Sequence, residues 1–232
     1  MFISDNIAAV RERIGAATRR AGRPTDDISL MAVTKANPPE HIRGAYAVGL
    51  RLFGENRVQE FAAKASALAD LDAAKWHMIG HLQTNKAAKA ADLFNAVDSV
   101  DSIKLAEKLD AAARALNKRL PVLIEINVGG EAAKSGVAPD SRELEELLRA
   151  APGFEALEFR GLMTVPPYTE DPEDARPFFR RLRQLRDAIA ARQLPAIRTD
   201  ELSMGMSHDF EVAIEEGSSC VRVGTAIFGE RR

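Results

Sequence analysis

The sequence predicts a single (β/α)8 barrel, and three observations carry that prediction. Short apolar runs at 28–34, 51–53, 75–79, 94–98, 121–127, 158–164, 200–203 and 219–223 read as eight strands. Helical patterns separate them, and strands that alternate with helices are joined by crossovers and run parallel. The turn after the first run is TKANPPE (34–40), without the glycines that a doubly wound nucleotide-binding sheet carries there. Eight parallel strands are the count of a closed TIM barrel, and 232 residues suit one.

Each element has its own signal. Residues 1–22 precede the first strand and form an extra helix that packs on the barrel. Ile7, Val10 and Ile14 recur at helical spacing, Ser4 or Asp5 caps the start, and Gly22-Arg23-Pro24 stops it. Ser102 caps a helix carrying Ile103, Leu105, Leu109 and Leu116, and Asp140 or Ser141 caps one carrying Leu144, Leu147 and Leu148. Asp171-Pro172 is a cap followed by proline at the first helical position, ahead of Phe178, Phe179, Leu182 and Leu185. No composition shift or Ser/Gly linker marks a second domain, so residues 1–232 are expected to form one.

Composition excludes several classes. Hydrophobic residues make up 46% of the chain, enough for a packed core. The formal net charge of −2 gives no global field toward nucleic acid or an anionic membrane. Cys220 is the single cysteine, so no intrachain disulfide forms. The start MFISDNIAAVRERIG lacks the apolar core of a signal peptide, and no apolar run approaches a membrane span. A soluble cytoplasmic protein is expected.

The first strand, ISLMAVT, is followed at once by Lys35. Active sites of these barrels sit at the C-terminal ends of the strands, so position alone makes Lys35 a candidate. Its ordinary alternative is a surface lysine. Partners decide between them. Barrels often bind phosphate with the loops after strands seven and eight, where glycine lets backbone N–H groups approach oxygens and hydroxyls add donors. Ser203, Ser207, Gly224 and Thr225 supply that chemistry in those two loops. Arg222 alternates with Val221 and Val223 in strand eight, which points it into the barrel, where an unpaired charge is costly. A lysine at a strand end, a phosphate cup and an inward arginine together describe a pyridoxal 5′-phosphate (PLP) site. The lysine would form a Schiff base with the aldehyde, and the arginine would face the pyridine nitrogen.

Other signals fail. GGEAAKS (129–135) has Ala133 where a P-loop needs glycine. HMIGH (77–81) has two histidines four apart but no zinc-protease glutamate, so no metal is expected. RPFFRRLRQLR (176–186) keeps its apolar residues on one helical face, leaving the arginines solvated. Cys220 reads as a small buried residue.

Seven segments, AVTKANP, FGENRVQE, WHMIGHLQTNK, INVGGEAAKSG, GLMTVPP, LSMGMSHDFEVAI and VRVGTAIFG, run in order from about residue 30 to 229. Together they resemble the pyridoxal phosphate homeostasis proteins, the YggS/PROSC-like family. The resemblance implies an alanine-racemase-like PLP barrel with PLP on Lys35. It implies that Ser207 and the Gly224 and Thr225 amides bind the phosphate and that Arg222 lies beside the pyridine nitrogen. Asn56 and His81 would line the pocket, and Lys134 matches a family lysine that holds or relays PLP at a secondary position. His81 stands where some members carry proline. The family is regarded as PLP carriers that regulate vitamin B6 and amino-acid pools, with apo PLP-dependent enzymes as acceptors.

Arginine at the pyridine nitrogen keeps that nitrogen unprotonated, which weakens PLP as an electron sink. A racemase also needs a second acid/base on the opposite face, usually a tyrosine from an added domain. Tyr46 falls in a helix and Tyr168 in the loop after strand six. The expectation is therefore a monomeric carrier. The rivals are a PLP-dependent amino-acid racemase or lyase, and a phosphate-ester barrel enzyme in which Lys35 reacts directly with a keto substrate.

Overall fold

The computed structural model describes residues 2–131 and 134–229. Ala132 and Ala133 of the INVGGEAAKSG segment, Met1 and residues 230–232 lie outside them. Eight strands close in chain order into one barrel: β1 (Ser29–Val33), β2 (Leu52–Glu55), β3 (Lys75–Met78), β4 (Ala96–Val100), β5 (Leu120–Glu125), β6 (Leu157–Met163), β7 (Ile197–Met206) and β8 (Cys220–Val223). Every neighbour pair is parallel, and β1 pairs with β8 to shut the ring with Met31 opposite Arg222.

The helices between and around them are α1 (Ile3–Arg20), α2 (Pro39–Ala47), α3 (Val58–Lys64), α4 (Ala87–Leu93), α5 (Ile103–Ala115), α6 (Arg142–Ala150), α7 (Arg176–Ala191), α8 (Phe210–Glu215) and α9 (Thr225–Phe228). Ser102 Oγ accepts from the Leu105 amide at 3.3 Å, and Ser141, not Asp140, caps α6 by accepting from Leu144 at 3.2 Å. The cap of α1 differs from expectation. The helix starts at Ile3 after Phe2, with no side-chain cap, so Ser4 and Asp5 lie in its first turn. Asp171 caps a short 3-10 turn, Pro172–Ala175, and α7 follows from Arg176.

Two strands also differ. β4 begins at Ala96, two residues later than its apolar run, because Phe94 ends α4 and packs on Phe61 at 5.0 Å between ring centroids. β7 is longer than 200–203 and takes in the Ser-Met-Gly-Met run, with Gly205 at φ +93° inside it. In β6, Gly161 sits where a Cβ would lie 1.9 Å from the Glu201 carbonyl, a contact no other residue survives.

Period-two alternation sorts the core into two zones. Outward-facing residues such as Phe53, Trp76, Val97, Phe159 and Val221 join the helices in the main apolar core. Inside the ring a smaller group, Met31, Val33, Ile79 and Cys220 with Leu52, packs around polar side chains. Burial pushes the Cys220 thiol up to about 12, which leaves it protonated and unreactive. α1 buries Ile7, Val10, Ile14 and Ala17 and lies against α2, α8 and α9. Arg13 grips Glu211 with two bonds of 2.6 and 2.9 Å, and Asn6 donates to the Ile227 carbonyl at 2.8 Å. The added helix thus braces the elements that follow β7 and β8.

Candidate functional site at the barrel mouth

β1 ends at Val33, and Lys35 lies two residues beyond it, on the turn into α2. Lys35, Asn56, Ser207, Arg222, Gly224 and Thr225 line one cavity of about 510 Å³ at the C-terminal ends of the strands. Val33, Ile79, Val165, Met206 and His208 complete its wall. A second cavity of about 510 Å³ adjoins it, sharing Lys35, Gly224 and Thr225 and reaching Asn37, His41 and Phe228. Lys35 stands between the two.

The turn after β7 is held by Asp209, whose Oδ1 accepts from the Met206 amide at 2.6 Å while its own amide donates to the Met206 carbonyl at 3.1 Å. That turn points Ser207 across to the start of α9. The amides of Gly224 and Ala226 donate to Ser207 Oγ at 3.2 and 3.3 Å. Two backbone donors therefore already converge on an oxygen at the mouth. The Ala226 amide had no signal in the sequence, because any residue type supplies one.

Arg222 is 3% exposed. Its Nη1 donates to Ser203 Oγ and its Nη2 to the Thr164 carbonyl, both at 2.7 Å. Burial lowers its pKa, and the carboxylates of Asp98, Glu125 and Asp209 oppose that. The guanidinium stays charged. Glu125 faces inward at the end of β5, where burial raises its carboxyl pKa. Its Oε1 accepts from Ser135 Oγ at 3.0 Å, and its Oε2 has no partner among the described residues.

Comparison with known proteins adds the lineage. Residues 6–232 match the family model described as alanine racemase, N-terminal domain. A pyridoxal phosphate homeostasis protein of Aquifex aeolicus is 48% identical over the full length of both chains. The chain belongs to the pyridoxal phosphate homeostasis family. Among solved structures, a protein of Bifidobacterium adolescentis described as unknown superposes with a TM-score of 0.89 at 40% identity, covering 97% of this chain and 94% of its own. PipY of Synechococcus elongatus, solved with PLP bound, superposes with a TM-score of 0.84 at 36% identity, covering 98% of this chain and all of its own. The barrel is thus of the alanine-racemase type.

Not every candidate site residue reaches the cavity. Ser203 is fully buried within β7 and accepts from Arg222, one step below the mouth, because the strand runs on to Met206. His81 is turned outward, its Nδ1 3.3 Å from Asp101, and lines a separate surface recess with Gln83 and Thr84. The reason is local: Gly80 is packed so tightly on the Asn56 carbonyl that a Cβ would lie 2.4 Å away, and the chain leaves the barrel there. Lys134 bridges Glu131 at 3.1 Å and the Pro166 carbonyl at 3.2 Å, which ties it to the loop after β6. His77 and His81 diverge, and among the described residues no group of three or more His, Cys, Asp or Glu is placed to hold a metal. Nor is any described helix long and apolar enough to cross a membrane.

The opposite end of the barrel holds a charged cluster. His77, Asp98 and Glu201 border two cavities of about 420 and 290 Å³, with Arg160 on the larger. That end is where barrels carry stability and not chemistry. Burial works against the charged form of His77, but Asp98, 3.0 Å from Nδ1, outweighs it and raises the pKa above 6.5. A raised folded pKa means stabilisation that is full below about pH 6.5 and is lost as pH climbs through the folded value. The stability gap between wild type and His77→Gln, read by urea unfolding, should therefore narrow from about pH 5.5 to about pH 8.5. A gap that widens would contradict this account.

Proposed function

We propose that this chain holds PLP at the barrel mouth with Lys35 as covalent anchor, and that it serves as a cytoplasmic carrier in vitamin B6 homeostasis. The observation that carries the reading is one cavity bordered by Lys35, by the Ser207 turn with its converging amides, and by Arg222. Its volume of about 510 Å³ fits the size of a cofactor pocket. The kinship supports it too, since PipY was solved with PLP bound.

When bound, PLP supplies an aldehyde that condenses with a primary amine and releases water. Lys35 brings the amine. Ser207 and the amides of Gly224, Thr225 and Ala226 bind the phosphate, as backbone donors at such turns do. Arg222, held at both Nη atoms, offers a fixed positive charge that keeps the pyridine nitrogen unprotonated. Asn56 lines the same wall, and Lys134, held to the loop after β6 by the Pro166 carbonyl, would be the secondary lysine. The carrier acts as a monomer and passes PLP to apo enzymes that use it.

One feature favours weak amino-acid racemase or lyase activity instead. The Tyr168 ring, 78% exposed, packs on His208 with centroids 5.5 Å apart, and His208 lines the cavity. Purified protein separates the two readings. A carrier takes up PLP, develops a visible chromophore and turns over none of a panel of L- and D-amino acids. Saturable racemisation that disappears in Tyr168→Phe would replace the carrier reading with the enzyme.

A further inference from the structure

The backbone around Lys35 is held on both sides by side chains that lie outside the cavity. The Thr34 carbonyl, just before it, accepts from Lys64 Nζ at 2.9 Å. The Ala36 amide, just after it, donates to Glu60 Oε1. The Lys35 carbonyl accepts from Asn37 Nδ2 at 3.2 Å, and the Asn37 amide closes a turn on Thr34 O at 3.1 Å. Within this turn Ala36 takes φ +58°, a left-handed conformation that alanine adopts only at a cost. A turn of that kind persists when its surroundings over-determine it.

The holding groups come from two other elements. Glu55 is the last residue of β2, and Glu60 and Lys64 share one face of α3 at i, i+4. Lys64 Nζ lies 2.7 Å from Glu55 Oε1 and 3.5 Å from Glu60 Oε1. Thr34 Oγ1 donates to the same Glu55 oxygen. The pair is deep: the Glu55 side chain is 0% exposed and that of Lys64 10%. Buried ion pairs seldom stabilise more than an apolar pair of the same volume. What this one supplies is direction, because an ammonium has three donors to aim, and here they go to Glu55, the Thr34 carbonyl and, at 3.5 Å, the Asn37 carbonyl. Glu55, Glu60 and Lys64 line neither cavity at Lys35.

We propose that Glu55, Glu60 and Lys64 are positioning residues that fix the backbone of Lys35 so that its amine projects into the mouth along one line. The proposal rests on the reading of Lys35 as the anchor for PLP. Freeing the turn widens the arc the amine samples, which slows bond formation at Lys35. The phosphate cup, built on the turns after β7 and β8, is left alone.

The test uses Lys64→Met, Lys64→Arg and Glu60→Ala beside wild type. Glu60 is partly exposed, so Glu60→Ala decides the matter if Lys64→Met does not fold. The first readout needs no PLP: hydrogen exchange at the Ala36 amide should quicken at least about tenfold in Lys64→Met and Glu60→Ala, with β5 unchanged. The second is stopped-flow absorbance on adding PLP. Linkage to Lys35 should slow at least about fivefold in Lys64→Met and Glu60→Ala and recover partly in Lys64→Arg. Affinity for pyridoxine 5′-phosphate, which lacks the aldehyde and reports the cup alone, should change less than about twofold. Folded variants that lose only melting temperature, with exchange and linkage rates unchanged, would overturn the proposal. If wild type forms no linkage to Lys35, the reading of Lys35 fails, and the exchange data still say whether the trio holds the turn.

Discussion

Lys35→Ala should yield a folded protein that no longer retains PLP through gel filtration. The side chain is half-buried at the mouth and outside the apolar core, so its removal costs about 1 kcal/mol or less. For a chain of this length that is about 2–4 °C in Tm. Cofactor retention should change far more, because on the proposed reading the phosphate cup alone would supply a few hydrogen bonds while Lys35 would supply a covalent one. Retention measured by absorbance after filtration, with Tm from the same preparation, checks both halves. A mutant that keeps bound PLP at wild-type level would remove Lys35 from the site.

Arg222→Glu is expected to damage the fold itself. The guanidinium is buried, and it satisfies Ser203 Oγ and the Thr164 carbonyl while facing the carboxylates of Asp98, Glu125 and Asp209. A glutamate there leaves those acceptors unpaired and adds a fourth carboxylate to an uncompensated interior. Leaving buried charges uncompensated costs about 3–5 kcal/mol, on the order of 10 °C in Tm for a chain of this size. Arg222→Lys keeps the charge but loses the planar fork, and should fall between the two. Urea unfolding measures it. A loss under about 1 kcal/mol would mean that the arginine is not the keystone of the polar interior.

Much of the layout of the mouth is legible in the sequence. Lys35, Arg222 and Gly224 are placed by strand position and by period two, both of which the chain displays locally. The barrel followed from eight apolar runs, since parallel strands buried on both faces have few polar interruptions. Ser203 lies deeper than the sequence suggests, because Ser-Met-Gly-Met has a loop's composition but Gly205 takes φ +93° inside an extended β7. His81 lies in a motif at a strand end, yet with Gly80 packed on the Asn56 carbonyl just beyond β2 its ring sits against Asp101, outside the cavity. The Glu55–Lys64 pair and the His77–Asp98–Glu201 cluster were invisible for a common reason. Their partners come from different elements: Glu55 and Lys64 meet where α3 packs back on β2, and closure of the ring brings β7 with Glu201 to His77 and Asp98.

The central claim is that Lys35 anchors the cofactor. Its most direct test is borohydride reduction of the PLP-loaded protein, followed by digestion and mass spectrometry of the modified peptide. One stable pyridoxyl group is expected, on the peptide that contains AVTKANP, at Lys35. A protein that takes up no chromophore, or that carries the group on Lys134 or another lysine while Lys35 stays unmodified, would contradict it.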